Sequence, residues 1–361
     1  MHNNLNLQKI AYTIIIVIGL GWLSVIGKSI LLPLIFAILF SIFLYPIDKK
    51  ILSFVKVKWL SIPLTFLVVL IPILIVAMLF SYQIVNIMES LPSIESSLKD
   101  GFEQSIQKIN GLLPFADVSP KTVLPSNDSS IPNGSLGVVS KGIMTSASFI
   151  VSSGLCFMYT FFLLFYRKSF KNFIIYQFEK ENRPDIKDTL KEIKETIQSY
   201  IGGVGLVMVI LSILNTIGLT VIGIEHAMFW GVLAGVLSII PYAGTALGGM
   251  LPFVFALSTA ESSWQPIAVL VYYMIIQQVE GNFITPNIVG NKVDINPFFA
   301  ILSIVILGTL WGVGGVLLAL PLISITRIIF GQFQSTEPLA FLMSSSIMDK
   351  GKFKNWAANV E

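Results

Sequence analysis

Long apolar runs separated by short polar segments set the pattern of this chain. Three of them, Ile10–Gly27, Ser29–Ile47 and Trp59–Ile87, fill the N-terminal part. A fourth, Thr145–Tyr166, follows a polar stretch. A fifth runs from Tyr200 to Ile224 and a sixth from Trp264 to about Thr285. A helix crossing a hydrocarbon core of about 30 Å needs about 20 mostly apolar residues, so six full transmembrane helices are expected. Lys9 precedes the first run but no small-x-small cleavage site follows it, which predicts a retained span rather than a cleaved signal peptide.

Two further apolar stretches are too short to be ordinary spans. Ala227–Ile240 and Ala243–Ser258 hold 14 and 16 residues and meet at Pro241-Tyr242; Pro297–Trp311 and Val313–Phe330 hold 15 and 18 and meet at Gly312. Such lengths suit two re-entrant helical hairpins, which raises the expected number of membrane helices to eight or more. Irregular backbone survives at membrane depth only where it is buried in protein or lines a cavity, so paired breaks point to a solute pathway. A shift of 70 residues places Phe229 on Phe299, Gly244 on Gly314 and Leu247 on Leu317, and lays the fifth span over the sixth. Each unit is then one span plus one hairpin, and an odd number of crossings per unit makes the repeat in the C-terminal half an inverted one.

Composition agrees. Of 361 residues, 54% are hydrophobic and 12% charged, about half the charge of a typical soluble domain. A formal charge of +3 is too mild for a nucleic-acid surface. Cys156 alone excludes a disulfide framework, and two histidines, His2 and His226, leave little for zinc or nucleophilic catalysis. The charges fix an orientation. Asp48–Lys58 carries Lys49, Lys50, Lys56 and Lys58, and Arg167–Lys194 carries eight Lys or Arg; with both inside, 18 of the 23 basic residues are cytoplasmic, as are both termini.

Outside the membrane, Met88–Lys141 is the one sizeable polar region. Ile94, Leu98, Phe102, Ile106, Ile109 and Leu113 recur there at helical spacing, and Pro114–Ser135 reads as a loop with glycosylation-like triplets at Asn127 and Asn133. On the inside, Pro184 opens a segment with Ile186, Leu190, Ile193 and Ile197 on one face and charges on the other. It is expected to lie along the membrane, brace moving spans, or simply connect them. The predicted segments are therefore 1–87 (three spans), 88–144 (outer helix and loop), 145–199 (fourth span and inner helix), 200–330 (transport domain) and 331–361 (cytoplasmic tail).

Candidate chemistry is sparse. Gly21 to Lys28-Ser29 resembles a phosphate loop but has the wrong spacing and sits on an apolar helix with no strand before it. No zinc-protease or nucleophile-elbow motif is present, so no enzyme and no cofactor is expected. Glu280 is the one acidic residue deep in an apolar span. Tyr273, Gln277 and Glu280 fall at i, i+4 and i+7 on one helical face, and Asn282, Pro286 and Asn287 come next, where the helix is expected to end. A carboxylate at that depth is costly and is the residue expected to meet solute, cation or proton. The competing reading is a structural carboxylate bonded to a neighbouring helix. Gly231/Gly235, Gly244/Gly248 and Gly308/Gly312 are small-xxx-small pairs confined to the hairpins, which predicts close helix packing there. His226 is expected at an outer boundary.

The stretch Ile240-Pro-Tyr-Ala-Gly-Thr245, then Gln277-Gln-Val-Glu-Gly-Asn282, Pro286-Asn-Ile-Val-Gly290, Asn296-Pro297, Gly312-Val-Gly-Gly315 and Ala319-Leu-Pro321 resembles the autoinducer-2 exporter family of membrane transporters. The resemblance implies eight membrane helices. It implies export of autoinducer-2 or exchange of sodium for protons, and homo-oligomers such as pentamers with an elevator-like hairpin domain. It marks Pro241, Gly244, Glu280, Asn282 and Pro286 as motif positions; Gly314 joins them from the repeat, and Tyr273 and Gln277 from the polar face. The expected protein is thus a polytopic all-α protein of the cell membrane. Its expected role is a secondary transporter or facilitative exporter of a small polar solute, with a monovalent cation/proton antiporter as the alternative and a non-transporting scaffold behind both.

Overall fold

A computed structural model describes residues 7–81, 83, 135–240, 243–259, 262, 264–289 and 294–345. Among the described residues all regular structure is helical: α1 (Leu7–Ile26), α2 (Lys28–Val55), α3 (Lys58–Ser81), α4 (Ser135–Phe165), α5 (Arg167–Tyr176), α6 (Arg183–Ile222), α7 (Ala227–Leu237), α8 (Ala243–Thr259), α9 (Trp264–Ile288), α10 (Pro297–Trp311), α11 (Val313–Phe330) and α12 (Glu337–Met343). Five of these, α2, α3, α6, α9 and α11, are long and apolar enough to cross a bilayer; the pair α4–α5, bent by 70°, makes a sixth if counted as one span. The outer helix expected around Ile94–Leu113, the loop after it, the triplets at Asn127 and Asn133, Pro241 and the lysines of the C-terminal tail lie outside the described residues.

Three boundaries differ from expectation, the first two because charge marks where a helix leaves an apolar environment, not where it stops. The second span does not end at Ile47. It continues as α2 to Val55, and the chain turns at Lys56, whose left-handed backbone (φ 59°) sends its N–H back to Leu52 O. The inner amphipathic segment is not a separate helix on the membrane surface, because it forms the first turns of α6. This 40-residue helix runs on through the fifth span and is about 60 Å long at 1.5 Å per residue. Its apolar face is covered by protein: Ile197 is buried, and Gln198 Nε2 donates to Ile42 O at 2.7 Å. The sixth span does not end near Thr285 either. A π-helical turn at Glu280–Ile284 widens the backbone, and α-helix resumes over Thr285–Ile288 with Pro286 inside it. A π turn changes the hydrogen-bonding register, which helps the helix tolerate the missing proline N–H.

The chain divides into two compact units. Unit 1 comprises Met1–Leu67, Ser148–Gly202 and Val289–Glu361. Its core gathers Leu39, Ile197, Trp311 and Leu318, with Leu32, Phe36 and Leu307 packed around them. Within this unit Asp48 is fully buried, ion-paired to Arg167 and accepting from Ser61 Oγ at 2.7 Å; the Arg167 guanidinium also lies 4.7 Å over the Tyr45 ring. A buried carboxylate persists only when paired in this way. Also in unit 1, α10 and α11 form a tight helical hairpin about Gly312, whose φ of 66° suits glycine. Asn296 caps α10 by accepting from Phe299 N at 3.1 Å and donates to Leu342 O at 2.6 Å, tying α12 to the hairpin.

Unit 2 comprises Val68–Ala147 and Gly203–Ile288. Its described core is aromatic: Phe229, Trp230 and Phe255 cluster with Leu219 and Val269, and Phe80 of α3 stacks at 4.9 Å on Phe229. The first helices of the two hairpins keep the 70-residue spacing. Helices α7 and α10 begin at Ala227 and Pro297, 70 residues apart, and Phe229 and Phe299 each stand third in their helix.

Candidate functional site

Glycines bring the helices of unit 2 together. On α7, a side chain at Gly235 would strike α6 at Met208 O (2.6 Å) and Ser212 N (2.7 Å), and one at Gly231 would strike Thr216. Across the hairpin, Gly248 of α8 faces Ala234 of α7 at 2.9 Å, and Gly244 sits against the Leu237 carbonyl. Gly249, on another face of α8, meets the Tyr273 ring of α9 at 2.8 Å. Helices without side chains at the seam approach closely enough for backbone contact, which is the packing that the glycine spacing predicts. Tyr272 adds a polar tie, its hydroxyl donating to Leu214 O at 2.7 Å.

These four helices enclose a cavity of about 400 Å³, lined entirely by residues of unit 2. Most of its wall is apolar, including Leu211, Phe253 and Val254; Met250 and Met274, each more than half exposed, stand where it opens. The polar lining is small: Asn215 from α6, Thr245 from α8, and Tyr273, Gln277 and Glu280 from α9. Few polar groups in an apolar wall is the usual composition of a small-molecule site. No basic residue lines it. Among the described residues no group of three His, Cys, Asp or Glu could hold a metal ion.

The predicted polar face therefore reaches one place: Tyr273, Gln277 and Glu280 all line the cavity, and Glu280 also opens the π turn of α9. Gly244 does not line it, but its contact with Leu237 closes the α7–α8 hairpin beside Thr245, which does. Asn282 and Pro286 are exposed and outside the cavity lining; Asn282 Nδ2 is engaged with Gln278 O and Oε1 at 2.9 and 3.0 Å. Gly314 belongs to unit 1, where it faces Leu32 of α2. Its neighbour Gly315 presses on the Leu307 carbonyl, 70 residues after the Leu237 carbonyl that Gly244 meets, so the second helix of the repeat is offset by one residue. His226, half-buried with φ 55°, caps α7 beside Phe255.

Two cavity residues are not among those that sequence reasoning singles out. Thr245 ends the Ile240–Thr245 motif without standing out within it. Asn215 lies mid-span in the fifth run, and a polar side chain there is a readable signal. Asn215 is 3% exposed, and its Oδ1 has no hydrogen-bond partner; the Tyr273 hydroxyl, also at the cavity, is likewise buried and unpaired. Such orphaned groups are uncommon and each needs a reason. A second polar cluster lies in unit 1, where Asp294 accepts from Ser344 Oγ (2.7 Å) and Ser345 N (3.0 Å) and pairs with Arg327 at 3.2 Å. Burial pushes the Asp294 carboxyl up, but the hydrogen bonds from Ser345 and Ser344 and the Arg327 charge outweigh it and hold it below the ordinary 3.8.

Comparison with known proteins agrees with this anatomy. The chain is 24% identical over 327 residues to a "Putative transport protein" of Borreliella burgdorferi, a match covering 89% of this chain and 86% of the relative. It is 23% identical over 341 residues to "Putative transport protein YhhT" of Escherichia coli K12, covering 93% of each. "Putative transport protein YrrI" of Bacillus subtilis is 28% identical over 144 residues, and there the match spans only about 40% of either chain. The model of the AI-2E family transporters matches residues 11–335, nearly the whole length and every helix that builds the cavity. The chain belongs to the AI-2E family of transporters.

Proposed function

We propose that this multi-pass membrane protein moves a small polar solute through the cavity of unit 2, as a secondary transporter or facilitative exporter. The observation that carries the reading is the convergence of Tyr273, Gln277 and Glu280 with Asn215 on one cavity inside a membrane helix bundle. A carboxylate and an amide at that depth are costly unless they serve a pathway. In this reading the α7–α8 hairpin dips into the bilayer without crossing it, the α10–α11 hairpin does the same although α11 alone is long enough to span, and the two helix-plus-hairpin repeats are inverted. The helices of 200–330 then act as the transport domain within a cell-membrane homo-oligomer, both chain termini facing the cytoplasm. Autoinducer-2, which gives the family its name, is the first solute to assay.

The test compares extracellular and intracellular metabolites in cells with no protein, the native chain, Glu280→Gln, and Ala246→Phe, which narrows the cavity. A solute whose distribution shifts with the native chain but not with either variant supports the reading. Unchanged flux in well-folded Ala246→Phe overturns the cavity as the route. The location of Glu280 at a π turn within a span favours one alternative, a cation/proton antiporter. Vesicles given a sodium or a proton gradient separate the two, since efflux indifferent to both ions excludes coupling.

A further inference from the structure

Resting on the cavity as the transport site, we propose that its solute is an amphipathic organic ammonium ion. In this assignment its N–H groups meet Glu280 and its apolar body lies against the wall. The ionisable lining is one-sided: Glu280 is its one acidic side chain, and no Lys, Arg or His lines it. The first turn of α8, with Thr245 and Ala246, contributes only the partial positive end of a helix, about half an elementary charge, and the N–H of Gly244 beside it is already bonded to Ile240 O at 2.8 Å. An anion would therefore meet net repulsion in a site that cannot hydrate it.

The two orphaned groups agree in sign. Asn215 Oδ1 accepts only, and the Tyr273 hydroxyl can accept as well as donate, so a ligand rich in N–H donors satisfies both together with the carboxylate. The Tyr273 ring adds an aromatic face of the kind that attracts ammonium groups. The wall then decides between a bare cation and an organic one. A metal ion is held by oxygens on every side, whereas most of this cavity of about 400 Å³ is bounded by the hydrocarbon and thioether groups of Leu211, Met250, Phe253 and Met274. Such a wall offers apolar area to a hydrocarbon or ring several atoms across. Carboxylate at one point and hydrophobic surface elsewhere is the complement of an amine with an apolar body.

The experiment uses the full chain in detergent and three probes of one shape: 2-phenylethylammonium, 2-phenylethanol and 3-phenylpropionate. Calorimetric titration reads the affinity of each for the native chain, Glu280→Gln, Asn215→Leu and Ala246→Phe. The expected order has the ammonium about tenfold or more above the alcohol and the carboxylate weakest. Glu280→Gln should weaken the ammonium about 10- to 100-fold, the range of a charge-assisted hydrogen bond, and Asn215→Leu about 3- to 10-fold. Alcohol or carboxylate binding as tightly as the ammonium, with Ala246→Phe still blocking it, overturns the ammonium class and leaves the cavity as the site. Sodium protecting the native chain from thermal unfolding, while the ammonium fails to bind, overturns it in favour of the metal cation. Ammonium binding equal in the native chain, Glu280→Gln and Ala246→Phe overturns the cavity reading itself.

Discussion

The seam between α6 and α7 makes a quantitative forecast for Gly235→Ala. The added methyl would sit 2.6 Å from Met208 O and 2.7 Å from Ser212 N, and nearer still to Ser212 Oγ. Unstrained carbon contacts lie at about 3.5–4.0 Å, so α7 must withdraw from α6 by about 1 Å. Gly231 lies one turn away on the same seam, and the withdrawal loosens its contact with Thr216 too. Alanine gains about 1 kcal/mol over glycine in a helix interior, which masks part of the damage. Gly154→Ala provides the control, because Gly154 is also mid-helix and a methyl there meets nothing within 4 Å. The propensity gain cancels between the two variants and leaves the overpacking cost of about 1–3 kcal/mol against Gly235→Ala. Thermal unfolding in detergent, followed by tryptophan fluorescence, should put Gly235→Ala several degrees below Gly154→Ala. Adding Ser212→Ala should not restore it, since two of the three obstructing atoms are backbone. Equal melting of the two glycine variants, or rescue by Ser212→Ala, would refute the packing argument. Solute flux should fall with Gly235→Ala as well, because α7 carries Ala234 into the cavity wall.

Tyr273→Phe removes an unpartnered buried hydroxyl, so the unliganded protein should gain about 1–3 kcal/mol in thermal unfolding while phenylethylammonium binding weakens in titration. Asp48→Asn leaves an acceptor for Ser61 but strips the partner from Arg167, and the loss should reach about 3–5 kcal/mol in the same unfolding assay, with Asp48→Asn/Arg167→Met recovering most of it. The Asp294 carboxyl is held below its ordinary 3.8, so the native state binds its proton less readily than the unfolded chain. Its contribution is present above about pH 3.8 and lost as pH falls through the lower folded value. Amide exchange in α12 should therefore accelerate below that pH, and Asp294→Asn should flatten the profile.

Much of this architecture is legible in the sequence because membrane helices announce themselves by length and composition. The breaks at Leu237–Ala243 and at Gly312 read as interrupted apolar runs, and glycine spacing foretells the seams that Gly231, Gly235 and Gly248 make. Tyr273, Gln277 and Glu280 are found together because an i, i+4, i+7 spacing survives in any straight helix. The features beyond reach depend on contacts between distant segments. Nothing in the local pattern of Asp48 says that Arg167, 119 residues later, will neutralise it. Nor does a five-residue stretch beginning at Glu280 advertise a π turn, whose hydrogen-bond register is set by the tertiary surroundings. Asn282 and Pro286 share the motif with Glu280 but not the cavity. A shared motif guarantees only proximity along the chain: Asn282, two residues after Glu280 within the π turn, stands on another face of the helix than Glu280.

Two of the orphaned polar groups of unit 2 line the proposed cavity, and two do not. Four buried side-chain atoms lack a hydrogen-bond partner among the described residues: those of Gln83, Asn215, Trp230 and Tyr273. Elsewhere half-buried hydroxyls are satisfied locally, as when Ser212 donates to Met208 O at 2.7 Å and Ser258 to Phe255 O at 2.9 Å. Helical backbone thus offers a ready acceptor to a short polar side chain, and an apolar replacement would cost little. Asn215 Oδ1 only accepts, so the helix carbonyls cannot satisfy it and it stays unpaired beside the cavity; the Tyr273 ring, against which Gly249 presses, carries a hydroxyl that finds no partner either. Each orphan costs about 1–3 kcal/mol, and in both cases leucine or phenylalanine would remove the cost without changing the packing volume. A helix bundle selected for stability alone would discard both groups. In the proposed reading both groups line the cavity that Glu280 also lines and are satisfied only when it is occupied.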